Sequence, residues 1–148
     1  MKRAAPEHRI QVALMDYLRL ALRPELEVRA IPNGEKRHIR VASRLKAEGV
    51  RRGTPDIFVC LPQGRIGWLE MKAPKGVLSP EQKHFRDKVL ALGHFWALAR
   101  TVDQALEHLT EWDALRPAYR RAPAIFKTNH LETIQFKAAK EHQSGTQA

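Results

Sequence analysis

With 148 residues, 43% of them hydrophobic, the chain is long enough to bury the core of one domain and too apolar to be disordered along most of its length. Its single cysteine excludes an internal disulfide, no apolar run is long enough to span a bilayer, and the basic N-terminus (Met1 to Gln11) lacks the apolar stretch of a secretory signal, so a soluble, cytoplasmic protein is expected. The 26 Lys and Arg against 16 Asp and Glu leave a formal charge of +10, and a polyanion such as nucleic acid is the simplest partner for that excess.

From Glu7 to Leu22 apolar residues return at helical spacing, with Ile10, Leu14, Tyr17 or Leu18, and Ala21 or Leu22 on one stripe. Pro6 suits a first turn and Pro24 stops the helix. Glu27 to Ile31 alternates and predicts a strand that ends at the turn Pro32-Asn33-Gly34. Arg37 to Glu48 predicts a second helix, with Gly49 as its C-terminal cap. Between Arg29 and Arg52 lie Arg29, Lys36, Arg37, Arg40, Arg44, Lys46, Arg51 and Arg52, set against Glu35 and Glu48 alone. Such a run reads as a solvated helix face or as a wall for phosphates.

Gly53-Thr54-Pro55 breaks the chain into Asp56 to Leu61, whose β-branched and aromatic content predicts a buried strand, with Cys60 a buried core residue. Pro62 to Arg65 turns it back into a second strand, Ile66 to Lys72, so that the two form a hairpin. Ser79, Pro80 and Gln82 have the order of a capping box, opening a helix to Leu92 with Phe85, Val89, Leu90 and Leu92 inward and Gly93 at its end. A strand from His94 to Ala99 follows, then a helix from Thr101 to about Trp112. Trp68, Trp96 and Trp112 read as core rather than as base-stacking platforms. Past Pro117 the pattern degrades; Arg116, Arg120, Arg121, Lys127, Lys137 and Lys140 make the tail basic, to follow phosphates or to keep the chain soluble, and Ser144 to Ala148 reads as disordered. The predicted order is helix, strand, helix, strand, strand, helix, strand, helix, a mixed α/β domain with helices over a small sheet.

The chemistry gathers on the hairpin. Strand side chains alternate, so Glu70 and Lys72 share a face while Met71 points away, and Asp56, at the start of the partner strand, can stand beside Glu70. Charges in an apolar sheet are costly unless they pair or bind a cation. Two hard oxygen donors suit Mg²⁺ or Mn²⁺, and a lysine beside that ion can hold an attacking water or offset charge on a phosphate. A lone Glu-x-Lys carries little information; the ordered combination with a Gly-x-Pro-Asp turn and an apolar strand carries much more.

Gly53-Thr54-Pro55-Asp56 followed by Leu69-Glu70-Met71-Lys72 resembles the signature of the PD-(D/E)xK nucleases. Arg44 to Asp56, Leu78 to Gln82 and Gly93 narrow the resemblance to the VRR-NUC branch, the virus-type replication-repair nucleases. It extends from about Glu7 to about Leu109, with Asn33 matching an asparagine after the first strand. The resemblance implies a restriction-endonuclease-like core with a small mixed central sheet, a nuclease domain over residues 1–115 and a basic, partly disordered extension over 116–148. It implies that Asp56, Glu70 and the main-chain carbonyl of Met71 ligate Mg²⁺ or Mn²⁺ and that Lys72 positions or activates the water. Glu7 would join through a second metal or an ordered water, and Gln82 would support the site from the next helix. Both also have local readings, Glu7 as a first-turn acid and Gln82 as part of the capping box. Arg37, Arg40, Arg44, Arg51, Arg52 and Lys75 are the candidate DNA contacts. Stand-alone members of the branch suggest a homodimer that cuts branched DNA such as a Holliday junction.

Seven histidines show no zinc-site spacing, and no nucleophile elbow, phosphate-binding loop or dinucleotide fingerprint is present. The rival to an endonuclease is a basic DNA-binding module that does not cut, or a nuclease subunit that needs a partner.

Overall fold

The computed structural model describes residues 6–32 and 39–121, with side chains for all of these except Pro6 and residues 39–42. Along the chain come α1 (Pro6–Ala21), β1 (Glu27–Ala30), α2 (Ile39–Ala47), β2 (Ile57–Cys60), β3 (Ile66–Met71), α3 (Pro80–Ala91), β4 (Phe95–Ala99) and α4 (Val102–Glu111). This is the order expected from periodicity, with strand ends one residue tighter: Asp56 and Lys72 flank their strands rather than belonging to them. The expected first turn of α2, from Arg37, and the turn at Asn33 lie outside the described residues, as does the tail beyond residue 121.

The strands form one sheet in the order β1-β2-β3-β4. The first three are antiparallel, and β4 runs parallel to β3 after a crossover through α3, as a parallel pair requires. One face of the sheet meets α1 and α4. There Leu14, Leu18 and Ala21 of α1, Ile57 and Val59 of β2, Leu69 and Met71 of β3, Ala97 and Ala99 of β4, and Ala105, Leu106 and Leu109 of α4 make a single apolar core. Gly67 admits Trp112 into that core: a Cβ on the glycine would stand 2.5 Å from the indole ring.

The opposite face carries the row Phe58, Trp68 and Trp96, which are register partners across β2, β3 and β4. Phe85 of α3 meets the Trp68 ring edge-on with centroids 5.0 Å apart. Trp112 is thus buried, and Trp68 and Trp96 are half-buried under α3.

Two core expectations are corrected. Cys60 is exposed, because Ile57 and Val59 take the inward positions of β2 while α3 packs on β4 and reaches β3 through Phe85 on Trp68, leaving the outer end of β2 open. Leu92 is 73% exposed, because it sits past the last turn of α3, where Gly93 at φ +83° redirects the chain.

Candidate active site

The site is assembled at one end of the sheet by backbone register. Ile57 faces Leu69, so Asp56 and Glu70 stand opposite one another at the end of the β2–β3 ladder. The Met71 N–H donates to Asp56 Oδ2 at 2.9 Å, which fixes the aspartate to the strand that carries the glutamate. Lys72, on the face of Glu70, places Nζ 3.0 Å from Glu70 Oε1. Asp56, Glu70 and Lys72 therefore come together as the hairpin reading requires.

Two neighbouring segments close around them. The turn before Asp56 presses against the first turn of α3: Gly53 has φ +93°, and a Cβ there would lie 2.5 Å from the Glu81 carbonyl oxygen. Only glycine satisfies both conditions without strain. At the same helix end, Ser79 Oγ accepts from the Gln82 N–H at 3.2 Å while Gln82 Oε1 accepts from the Ser79 N–H at 3.0 Å. This capping box orients the amide, leaving Nε2 to donate to Glu70 Oε1 at 2.5 Å. Gln82 fills the capping box and reaches Glu70 at once because its amide has two ends. Glu7, in the first turn of α1, accepts from the Ala73 N–H at 3.0 Å.

The electrostatics are unfavourable for carboxylates. Glu70 is 2% exposed, and burial together with the Asp56 charge pushes its carboxyl up to about 7, against the opposing pull of Lys72 and Gln82. Asp56 is also raised, chiefly by burial; the Met71 N–H and Lys72 work the other way, and the charge of Glu7 adds to the rise. Glu70 Oε2 is buried without a hydrogen-bond partner among the described residues.

An orphaned carboxylate oxygen beside a second carboxylate fits a divalent cation. The donors are hard oxygens, and no group of three or more His, Cys, Asp and Glu side chains gathers for a metal among the described residues. A donor set of that size suits an ion that keeps several waters, as Mg²⁺ does, better than one that needs a closed protein cage.

The basic residues are distributed over two loops next to the site. Arg51 and Arg52 are exposed in the segment that leads to Asp56, and Lys75 is exposed in the turn after Lys72. The Glu81 carboxyl is lowered by its own backbone N–H and by Ser79, and the charge of Arg52 adds a smaller pull. Arg44 is exposed but paired with Glu48 at 3.3 Å, one helical turn on. Arg37 lies outside the described residues, and nothing is described of the Arg40 side chain. One contact had no signal in the sequence: Arg100, at the end of β4, donates from Nη1 to the Ala73 carbonyl at 2.5 Å.

A four-stranded mixed sheet with Asp56 and Glu70-x-Lys72 at the end of its two central strands defines an α/β fold of the PD-(D/E)xK nuclease type. The VRR-NUC domain model matches residues 6–103, and the chain belongs to the VRR-NUC family. Two solved structures share the fold. A VRR-NUC domain protein superimposes with TM-score 0.59 at 17% identity, over 74% of this chain and 89% of its own. A second VRR-NUC domain gives 0.50 at 23% identity, over 73% and 97%. A relative from Acyrthosiphon pisum secondary endosymbiont phage 1, named "Putative nuclease p44", is 46% identical over 44 residues, which is 30% of this chain. The match spans about half (47%) of that relative's length. No described helix is long and apolar enough to cross a membrane.

Proposed function

We propose that this chain is a divalent-metal-dependent endonuclease that hydrolyses DNA phosphodiester bonds, prefers branched DNA such as a Holliday junction, and acts as a homodimer. The observation that carries the reading is Glu70: a buried carboxylate pushed up to about 7, with Asp56 beside it, Lys72 at 3.0 Å and one oxygen left without a partner. A cluster of this kind is costly to an empty fold and becomes favourable with a cation and a phosphate in place.

Asp56 and Glu70 would hold Mg²⁺ or Mn²⁺ together with the Met71 carbonyl, and Glu7 would join through a second metal or an ordered water. The ion, when bound, supplies charge to the scissile phosphate and a lowered pKa to a water. The protein's own groups account for the rest. Asp56 stays aimed because the Met71 N–H holds one of its oxygens. Gln82, oriented by the capping box, and Lys72 both bond Glu70 Oε1, so the other oxygen is presented to the site. Lys72 positions the attacking water and offsets the negative charge that builds on the phosphate. Arg51, Arg52 and Lys75, with Arg37, Arg40 and Arg44, take up flanking phosphates, which gives sequence-tolerant binding.

The preference for branched DNA rests on family membership, and the dimer on the small footprint of one domain and the symmetry needed to cut two strands. Both are tested by cleavage of a labelled four-way junction against linear duplex, flap and single strand, in Mg²⁺, Mn²⁺ and EDTA, with parent and Lys72→Ala proteins and sedimentation in parallel. The expected result is metal-dependent cutting of the junction that is lost in Lys72→Ala. Tight binding without cutting in every metal would replace the endonuclease with a DNA-binding module.

A further inference from the structure

The few residues after β3 are tied down from three directions. The Lys72 N–H donates to the Ala99 carbonyl of β4 at 2.9 Å, and the Ala73 N–H donates to Glu7 of α1 at 3.0 Å. The Ala73 carbonyl accepts twice, from the Gly76 N–H at 2.9 Å and from Arg100 Nη1 at 2.5 Å. Both lone pairs of that oxygen are therefore used. Arg100 reaches it across 27 positions of sequence, and its own N–H is fixed by Gln104 Oε1 at 2.8 Å.

Guanidinium groups clasp main-chain carbonyls elsewhere in the molecule too: Arg116 donates to Leu22 at 3.0 Å and Arg120 to Leu115 at 3.2 Å. What distinguishes the half-buried Arg100 is that the segment it holds bears directly on the site. The Ala73–Gly76 turn lies against the lysine: a Cβ on Gly76 would stand 3.3 Å from Lys72 Cδ and 3.3 Å from the Ala73 oxygen. The backbone of the turn is thus a wall for the stem whose Nζ sits 3.0 Å from Glu70.

We infer that Arg100 is a positioning residue for the active site: by holding the Ala73 carbonyl from β4, it fixes the Ala73–Gly76 turn against the stem of Lys72 and keeps the ammonium aimed at the Glu70–Asp56 pair. It acts through Ala73 and not on the reacting atoms. The consequence for rate rests on the proposed nuclease activity; the consequence for the turn does not. Arginine suits the task because its planar fork carries the donor to a fixed direction, whereas lysine offers a single flexible ammonium.

The test compares the parent with Arg100→Ala, Arg100→Lys and Arg23→Ala. Arg23 also donates to a main-chain carbonyl, that of Asp113 at 2.9 Å, but past the far end of α1, a helix whose 16 residues span about 24 Å. Amide hydrogen exchange is measured without DNA, and kcat, KM and salt dependence are measured on the cleaved substrate. Arg100→Ala should speed exchange at residues 72–76 by about tenfold while α1 and α4 keep their protection, which a general loss of stability would not do. It should lower kcat by about ten- to a hundredfold with KM and the salt slope unchanged, the mark of a misplaced group rather than lost binding. Arg100→Lys should restore part of both, and Arg23→Ala should alter neither.

Unchanged exchange at residues 72–76 would overturn the inference, as would a uniform rise across the chain. A loss confined to KM with a shallower salt slope would also overturn it, because Arg100 would then be a phosphate contact. If the parent cuts no DNA in any metal, the nuclease reading fails and the exchange measurement still decides the role of Arg100. If the parent cuts and the turn does not loosen, the inference alone fails.

Discussion

Helix α1 runs between two charged clusters that obey opposite rules. At its C-terminal end Arg23 bonds Glu25 and Asp113, and Arg120 bonds Asp113 in turn, so acids and bases alternate at or near the surface. Glu25 is held below the usual carboxylate range by its own backbone N–H and by Arg23. At the N-terminal end Asp56 and Glu70 stand by one ammonium, that of Lys72; Glu70 is raised by burial and by the charge of Asp56, and Asp56 by burial and by the charge of Glu7. The first cluster is what opposite charges adopt unaided. The second is imposed by strand register and a capping box against the electrostatic gradient. Carboxylates pushed up in a buried group mark a site built for something absent from the chain itself, whereas carboxylates pulled down mark a clasp.

The largest expected effect separates the clusters by function. Asp56→Ala should reduce cleavage by about a thousandfold or more, roughly 4 kcal/mol of transition-state stabilisation, while DNA binding stays equal or tightens as a repulsive charge leaves the phosphate site. Asp113→Ala should leave kcat as it was and lower the melting temperature instead. Parallel cleavage, binding and melting measurements check the pair. Cleavage by Asp56→Ala at the parental rate would remove Asp56 from the reaction.

The next effect is in pH dependence, where the clusters should differ in sign. With the Glu70 carboxyl at about 7 rather than 4.5, the folded chain keeps a proton that the unfolded chain has already released between those values. The stability from that proton is whole below pH 4.5 and is lost as pH rises through 7, a fall on the order of 3 kcal/mol from this group. Glu25, being lowered, works the other way: its contribution is present above the usual carboxylate range and disappears as acid is added. Denaturant unfolding in EDTA from pH 5 to 8 should show the decline in the parent and a flatter profile in Glu70→Gln. Saturating Mn²⁺ should flatten the parental profile too, because a cation compensates the ionised carboxylates. A parental profile in EDTA as flat as that of Glu70→Gln would show that the carboxyl is not raised.

The two clusters were also unequally legible in the sequence. All eight elements followed from periodicity and caps, and the meeting of Asp56 with Glu70 followed from a short hairpin, because a tight turn leaves little choice of register. Gln82 had two readings that spacing could not separate, and the structure shows one amide at both positions. The exposure of Cys60 and Leu92 was hidden because it depends on how much of the sheet α3 covers, which no local pattern encodes. Arg100 was invisible for a different reason: its partner is a main-chain carbonyl, and a backbone acceptor leaves no residue type to notice. The balanced cluster around Arg23 was missed as well, since Asp113 is 90 residues away and meets it only after the chain has folded back along α1.

The smallest effect concerns arginines that are not answered as Arg23 is. Arg51 and Arg52 are exposed beside the site, and the long-range pull on Glu81 occupies Arg52 only in part. Replacing both with alanine should make the slope of log Kobs against log salt shallower by about two, roughly one for each phosphate contact removed, with kcat at saturating DNA unchanged. Arg23→Ala should leave the slope alone, because that guanidinium is already committed to Glu25 and Asp113 at the other end of α1. The loss for Arg51 and Arg52 should be equal on unrelated sequences, since phosphates are the same on all of them. A loss confined to one sequence would make the pair base readers, and the two loops would then be a specificity element rather than the uniform positive rim that a sequence-tolerant nuclease needs.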